Sequence, residues 1–244
     1  MRIHCLQHVP FEGPAAIADW AATRGHRLTL TKLYAGEELP GVEEFDWLIV
    51  MGGPMNIYQD AQYPWLAGEK ALIGQAVAAG RTLLGVCLGA QLLADRLGSR
   101  VFRGEHREIG WWPLHLAEAG RRSSLFAGLP EPLEAFHWHG DTFESPPGAV
   151  CLAASAACAN QAFLYDERVL GLQFHFEVTP ASVRLLVKHC GDEIVPGRYV
   201  QSAEQLLGVD EAVFAQLNRT LFTVLDRLAD NTRRPSRKPS GPAC

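Results

Sequence analysis

The chain has 244 residues, of which 48% are hydrophobic and 20% are charged, and its net charge at pH 7 is −5. This composition is typical of one globular domain with a large core, and the negative charge argues against nucleic acid or an anionic membrane as a partner. No apolar run approaches the roughly 18 to 20 residues of a membrane-spanning helix, and the six scattered cysteines indicate a reduced, cytoplasmic protein rather than a disulfide scaffold.

Strand-like and helix-like segments alternate through the first hundred residues. The predicted strands are Ile3–Val9, Arg27–Leu33, Asp46–Met51 and Thr82–Val86, and the predicted helices are Pro14–Thr23, Pro64–Ala79 and Ala90–Leu97. This alternation predicts an α/β fold of flavodoxin-like character, with a mostly parallel sheet and helices on both faces.

After Ser99 the pattern changes to short strand-like runs with turn residues between them. They span Arg100–Arg103, Gly110–Leu116, Leu133–His137, Val150–Ala154, Gln161–Tyr165 and Val169–Phe174. We expect antiparallel strands that extend the parallel sheet. Capping residues predict three further helices, which begin after Thr179, Ser202 and Asp210.

The domain organisation follows from these elements. We expect a catalytic domain over residues 1–190 and a helical extension packed on the same domain over residues 191–231. Residues 232–244 are rich in Arg, Lys, Pro and Ser, and we expect a disordered tail there.

A single cysteine, Cys87, lies between Gly85 and Gly89 where a predicted strand passes into a predicted helix. Small flanking residues permit the strained strand-to-helix turn on which a nucleophile projects. The amides at the start of the helix are expected to lower the pKa of the thiol and to receive a developing oxyanion. A buried cysteine on its own is more often structural, so its companion residues decide the interpretation.

A cysteine nucleophile needs a base and a third group that orients the base. In an extended strand over 169–177, Gln173, His175 and Glu177 would share one face, opposite three large apolar residues. We therefore predict that His175 is the base and that Glu177 orients it.

The paired glycines Gly52 and Gly53 follow the predicted strand Asp46–Met51. They allow a backbone amide to point inward, although a tight turn alone would also use them. We expect the amides of Gly53 and Leu88 to form an oxyanion hole at the carboxyl ends of the strands.

Three segments resemble class I (triad-type) glutamine amidotransferase domains, namely Gly52–Pro54, Gly85–Gln91 and Gly171–Glu177. Trp138–Asp141 is similar to the substrate-binding turn of the glutaminase domain of GMP synthase. The resemblance spans about Ile3 to Lys188, with the motifs in the family's order and spacing.

The resemblance implies that Cys87 attacks the side-chain amide of glutamine, that His175 passes a proton to the departing ammonia, and that Glu177 orients His175. Water then hydrolyses a γ-glutamyl thioester to glutamate, and no cofactor is required. The residues implied in substrate binding or in the pocket wall are Gln91, Trp138, His139, Gly140 and Asp141.

The chain also departs from the synthetase-linked members. Phe176 stands where those members carry proline, and no ATP-binding or ammonia-consuming domain is recognisable. Met55–Tyr58 and Tyr63–Trp65 resemble the stand-alone branch, some of whose members are γ-glutamyl peptidases. The open alternatives are a glutaminase, a γ-glutamyl peptidase, and a glutaminase subunit that needs a synthetase partner. A non-catalytic binding protein is disfavoured by the intact triad.

The segment His137–Asp141 also resembles a His-x-His-x-Asp metal cluster. Thr142 follows where a dinuclear hydrolase would carry a further histidine, and no second ligand cluster follows. We expect no metal site here. His137 is expected to pack in a strand, and His139 and Asp141 to line the pocket.

Overall fold

The computed structural model describes residues 1–232, which form nine strands and seven α-helices. The strands are β1 Arg2–Gln7, β2 Arg27–Lys32, β3 Trp47–Val50, β4 Thr82–Val86, β5 Val101–Leu116, β6 Leu133–Phe143, β7 Val150–Ala154, β8 Ala162–Tyr165 and β9 Val169–Leu172. The helices are α1 Ala16–Thr23, α2 Trp65–Ala78, α3 Leu88–Arg96, α4 Glu118–Arg122, α5 Pro180–Cys190, α6 Ala203–Leu207 and α7 Glu211–Thr232. Apart from Thr232, which ends α7, the predicted tail lies outside the described residues.

The nine strands form one sheet in the order β2-β1-β3-β4-β9-β8-β7-β5-β6. The first five in this order pair in parallel, and the other four extend the sheet by antiparallel pairing. The predicted fold class is therefore confirmed. In the pairing of β4 with β9, Val86 lies opposite Leu172, so the segments that follow these two strands leave the sheet side by side.

Burial on both faces explains why the central strands are apolar runs. All residues of β3 and β4 are buried, as expected for parallel strands that are covered on both sides. One buried cluster joins the sheet to α1, α5 and α7, and a second joins it to α2 and α3. The helices therefore cover both faces of the sheet.

Several element boundaries differ from the prediction, and three of the differences have a clear physical reason. β5 is one strand of 16 residues rather than two pieces, because its register shifts between Arg103 and Glu108 instead of breaking. α3 begins at Leu88 rather than Ala90, directly after a residue with a positive φ angle. β9 ends at Leu172 rather than Phe174, because the chain then turns toward β6.

The C-terminal helix α7 packs along the cluster that includes α1. Phe214 meets the ring of Trp111 edge to face with centroids 4.9 Å apart, and Trp20 donates from Nε1 to Asp226 at 2.8 Å. Leu225 in the middle of α7 is fully buried. No helix within residues 1–232 is both long enough and apolar enough to cross a membrane.

A Leu225→Ala variant tests whether α7 belongs to the same core as the catalytic segments. Removing a fully buried leucine side chain should lower the free energy of unfolding by about 2–5 kcal/mol, in a single transition. Urea unfolding followed by circular dichroism measures both quantities. The control is Leu207→Ala, at a leucine that is 47% exposed. This substitution should change the free energy of unfolding little. An early, separate transition in Leu225→Ala would contradict one shared core.

Candidate active site

The predicted nucleophile Cys87 lies on a sharp turn between β4 and α3. Its backbone has φ 52° and ψ −108°, in the positive-φ region that side chains rarely adopt. A side chain on Gly89 would overlap the Val50 carbonyl, so only glycine lets α3 start this close to β3. The Cys87 amide donates to the Leu172 carbonyl at 2.8 Å, which fixes the turn against β9.

The predicted base and its orienting carboxylate are in contact. His175 Nδ1 lies 2.7 Å from Glu177 Oε1, and both side chains are buried. The extended strand expected over this segment is wrong beyond Leu172. Instead, the His175 amide donates to the Phe136 carbonyl in β6 at 2.8 Å, and this bond holds the imidazole above the end of the sheet.

The charge states of Cys87 and His175 depend on each other. Burial disfavours a charged His175 ring, but the charge of Glu177 and hydrogen bonds to Cys87 and Glu177 raise its pKa well above the ordinary value. Burial raises the pKa of the Cys87 thiol, while bonds to His175 and to the Leu88 amide lower it only in part. The Leu88 amide lowers the pKa of Cys87 as expected, but desolvation outweighs it and the net shift is upward. The imidazolium of His175 is the main group that stabilises a thiolate.

The two predicted oxyanion donors border the same cavity. Leu88 is the first residue of α3, so its amide has no partner within the helix, and it lies close enough to Cys87 to bond the sulfur. The Gly53 amide has no acceptor among residues 1–232. The Leu88 amide therefore faces the sulfur, and the Gly53 amide is unpaired among the described residues; that the two form an oxyanion hole stays a prediction.

A cavity of about 690 Å³ surrounds the thiol. Gln91 reaches its wall and donates to Gln173 Oε1 at 3.1 Å. The carboxylate of Asp141 accepts from Asn56 at 2.5 Å. All sequence-predicted residues except Glu177, which lies behind His175, line this cavity: Gly53, Cys87, Leu88, Gln91, Trp138, His139, Gly140, Asp141 and His175.

The segment Trp138–Asp141 lies within β6 and is not a turn, contrary to the prediction. The backbone carbonyl of Trp138 accepts a hydrogen bond from the Cys87 thiol at 3.6 Å. Strand geometry explains the correction: the pairing of β6 with the long β5 continues through His139 and Asp141 to Phe143.

Sequence reasoning missed several charged residues of the cavity. Glu12 follows β1, and its half-buried carboxylate lies beside Gly52 with no hydrogen-bond partner among the described residues. Burial raises the pKa of Glu12 to about 7, although the nearby His175 opposes this. The position of Glu12 after the carboxyl end of a parallel strand was a usable signal. Arg103 and Arg107, from the irregular part of β5, had no such signal.

Both histidines of the suspected metal cluster meet the carboxylate of Glu108, whereas Asp141 meets only His139, through its backbone carbonyl at 3.2 Å. Glu108 Oε2 lies 3.4 Å from His137 Nδ1 and 3.2 Å from His139 Nε2. Gln161 donates to the same oxygen at 2.6 Å, so hydrogen bonds connect the group without an ion. Burial lowers the pKa of His137 to about 4, which keeps that ring neutral. The absence of a metal stays a prediction.

Comparisons with known proteins show which proteins this chain is similar to. A family model described as glutamine amidotransferase class-I matches residues 15–187. The glutamine amidotransferase-like protein YfeJ of Salmonella typhimurium is 36% identical over 235 residues, which cover 93% of this chain and 97% of that protein. The GMP synthase of Thermomicrobium roseum is 38% identical over 132 residues, which cover 54% of this chain and 23% of the synthase. The chain thus matches about a quarter of that relative's length.

Two solved structures share the fold over nearly the whole chain. A glutamine amidotransferase from Thermotoga maritima has a TM-score of 0.85 and 30% identity, covering 94% of this chain and 98% of its own. A glutamine amidotransferase from Methylobacillus flagellatus has a TM-score of 0.88 and 32% identity, covering 97% of each chain.

A Glu12→Gln variant tests the electrostatic contact between Glu12 and the thiol. An ionised Glu12 raises the pKa of Cys87, so its removal should move the pH midpoint of Cys87 alkylation down by about half to one pH unit. Iodoacetamide labelling of the Cys87 peptide, quantified by mass spectrometry, measures the midpoint. Glu134→Gln is the matched control, because burial also raises the pKa of Glu134 but it lies in a different groove. An unchanged or higher midpoint in Glu12→Gln would refute the contact.

Proposed function

This chain belongs to the class I glutamine amidotransferase family, and we propose that it hydrolyses γ-glutamyl amides, with glutamine as the simplest substrate. The observation that carries the proposal is the constellation at one cavity: Cys87 on its strained turn, His175 bonded to Glu177 at 2.7 Å, and the backbone amides of Gly53 and Leu88 beside them. A nucleophile, an oriented base and an oxyanion site are the parts that acyl transfer requires.

The first half of the reaction forms a thioester. The Cys87 thiol gives its proton to His175, and the sulfur attacks the amide carbon of the substrate. The carbonyl oxygen becomes an oxyanion that accepts from the Gly53 and Leu88 amides. The carbon–nitrogen bond then breaks as His175 returns the proton to the departing amine, which leaves a γ-glutamyl thioester on Cys87. Glu177 stabilises the imidazolium throughout.

The second half releases the acid. His175 takes a proton from a water molecule, and the hydroxyl attacks the thioester carbon through the same oxyanion site. The carbon–sulfur bond breaks, glutamate leaves, and the thiol is restored by the proton from His175. All proton transfers pass through the His175 imidazole, so the protons of the reaction balance without a cofactor.

The cavity wall supports recognition of the glutamyl head group. Arg103 and Arg107 both lie near Gly140, and we assign the substrate's α-carboxylate to these cations. Trp138 and Gln91 line the same cavity, and we assign the aliphatic part of the substrate to them. His139 and Asp141 also line it.

A second candidate substrate class is a γ-glutamyl conjugate larger than glutamine. The cavity of about 690 Å³ is also lined by Glu12, Leu186 and Glu193, and sites of this volume hold ligands well above the size of an amino acid. Hydrolysis of glutamine and of small γ-glutamyl peptides and amines by the purified chain distinguishes the two. Activity only in the presence of a synthetase would favour the partner-dependent alternative.

The Cys87→Ala variant tests the proposed nucleophile. Without the sulfur no thioester can form, and release of ammonia and glutamate should fall by at least about 10³-fold. A coupled glutamate assay on glutamine and on γ-glutamyl peptides measures the rate. Cys151→Ala, at a half-buried cysteine of β7 outside the cavity, should keep full activity. Turnover by Cys87→Ala at the normal rate would exclude the mechanism.

The Glu177→Gln variant tests the orienting carboxylate. The charge of Glu177 raises the pKa of His175, so its loss should lower that pKa and reduce kcat by about 10²- to 10⁴-fold. Steady-state kinetics give kcat, and NMR titration of the His175 ring gives its pKa. The exposed residue Glu211 provides the control variant Glu211→Gln. If the pKa of His175 stays unchanged while kcat falls, the charge is not the cause.

A further inference from the structure

A second histidine–glutamate pair lies beneath the Gly52–Gly53 peptide. His8, directly after β1, places Nε2 2.8 Å from Glu69 Oε1 of α2 and Nδ1 2.9 Å from the Gly52 carbonyl oxygen. Both side chains are completely buried, and the ring of Trp65 stacks on His8 with centroids 5.4 Å apart. The mechanism above uses neither residue.

The protonation of this pair follows from its partners. Both ring nitrogens of His8 face acceptors, a carboxylate and a carbonyl, so both must donate. Burial opposes a charged ring, but the charge of Glu69 and the two hydrogen bonds raise the pKa of His8 above the ordinary value. The other carboxylate oxygen of Glu69 has no partner among the described residues, so His8 is what compensates its burial. In this form Nδ1–H always donates to Gly52.

The orientation of one peptide plane depends on that bond. In a trans peptide the carbonyl and the following N–H point in opposite directions. The Gly52 carbonyl points to the buried His8, so the Gly53 N–H points away from His8, and Gly53 itself borders the cavity that contains Cys87. Two consecutive glycines leave this plane easy to rotate. Rotation would turn a carbonyl, instead of a donor, toward the oxyanion.

We propose that His8 and Glu69 are positioning residues that hold the Gly52–Gly53 peptide in the orientation that donates to the oxyanion. The inference rests on the proposed amide hydrolysis and adds to it that the oxyanion hole is assembled within this chain. A partner subunit is then not needed to form it. Neither residue contacts the substrate; both act through the Gly53 amide.

A double variant, His8→Leu with Glu69→Leu, tests the proposal without leaving a buried unpaired charge. We expect kcat for a γ-glutamyl amide to fall by about 10- to 1,000-fold, as when one oxyanion donor is lost, with KM nearly unchanged. Alkylation of Cys87 by iodoacetamide forms no oxyanion, so its rate should stay the same. The control His4→Leu removes another buried histidine, one that lies within β1 and bonds Thr29 and Thr31 instead, and should keep kcat.

Two outcomes would overturn the proposal: an unchanged kcat in the double variant, or a loss of alkylation in parallel with kcat, which would place the defect at the thiol. The conservative variant Glu69→Gln keeps an acceptor for His8, so its kcat should fall less than the kcat of the double variant. If the double variant does not fold, the kcat and the alkylation rate of Glu69→Gln are measured in its place.

The proposed function can fail separately. If the wild-type chain hydrolyses no γ-glutamyl amide, the positioning of the Gly52–Gly53 peptide by His8 and Glu69 is still tested by crystal structures of the wild type and the double variant. We expect the Gly52 carbonyl to turn away from its wild-type direction, or to adopt two directions, once His8 and Glu69 are replaced. A single, unchanged direction of this carbonyl would overturn the positioning role of His8 and Glu69, whatever the enzymatic result.

Discussion

The parallel pairing of β4 with β9 is the constraint on which the rest of the site depends. Both strands are buried along their whole length, and burial on both faces is what compensates the entropy of joining segments so far apart in the chain. The Cys87 amide continues this pairing by bonding the Leu172 carbonyl. The strained turn therefore rests on a hydrogen bond to the strand that leads to His175, and a second bond, from the His175 amide to the Phe136 carbonyl, sets the position of the base.

Two buried histidine–glutamate pairs flank this contact and differ in one respect. Each ring has a carboxylate within 2.8 Å, which compensates the cost of a charge in a medium of low dielectric constant. The second nitrogen of His175 is left for the thiol and the cavity, so the ring can exchange protons. The second nitrogen of His8 is bonded to the Gly52 carbonyl, so that ring orients the Gly52–Gly53 peptide and exchanges no proton with the substrate. The same pair of side chains thus serves proton transfer in one place and backbone orientation in the other.

The sequence predicted the parts of the site that depend on local backbone chemistry. Glycines around Cys87, the pair at Gly52 and Gly53, and the His-x-Glu spacing all constrain the chain within a few residues, and the α/β alternation supplied the sheet edge where they meet. Long-range effects were missed. The sign of the pKa shift at Cys87 depends on burial by distant segments, and the end of β9 depends on a bond to Phe136. Glu108 could not be placed beside His137 and His139 before β5 was known to be one strand.

The role proposed for His8 cannot be recognised from a sequence motif. Its chemistry becomes visible only when three segments are combined: the end of β1, the Gly52–Gly53 peptide and the middle of α2. A free glycine peptide would rotate between a donor and an acceptor orientation, and an external contact would be needed to select one. Here the selecting contact lies in the core, sealed from solvent. A partner could still receive the ammonia or reshape the outer cavity, but the electrostatic centre of the proposed reaction is specified by this chain's own folding.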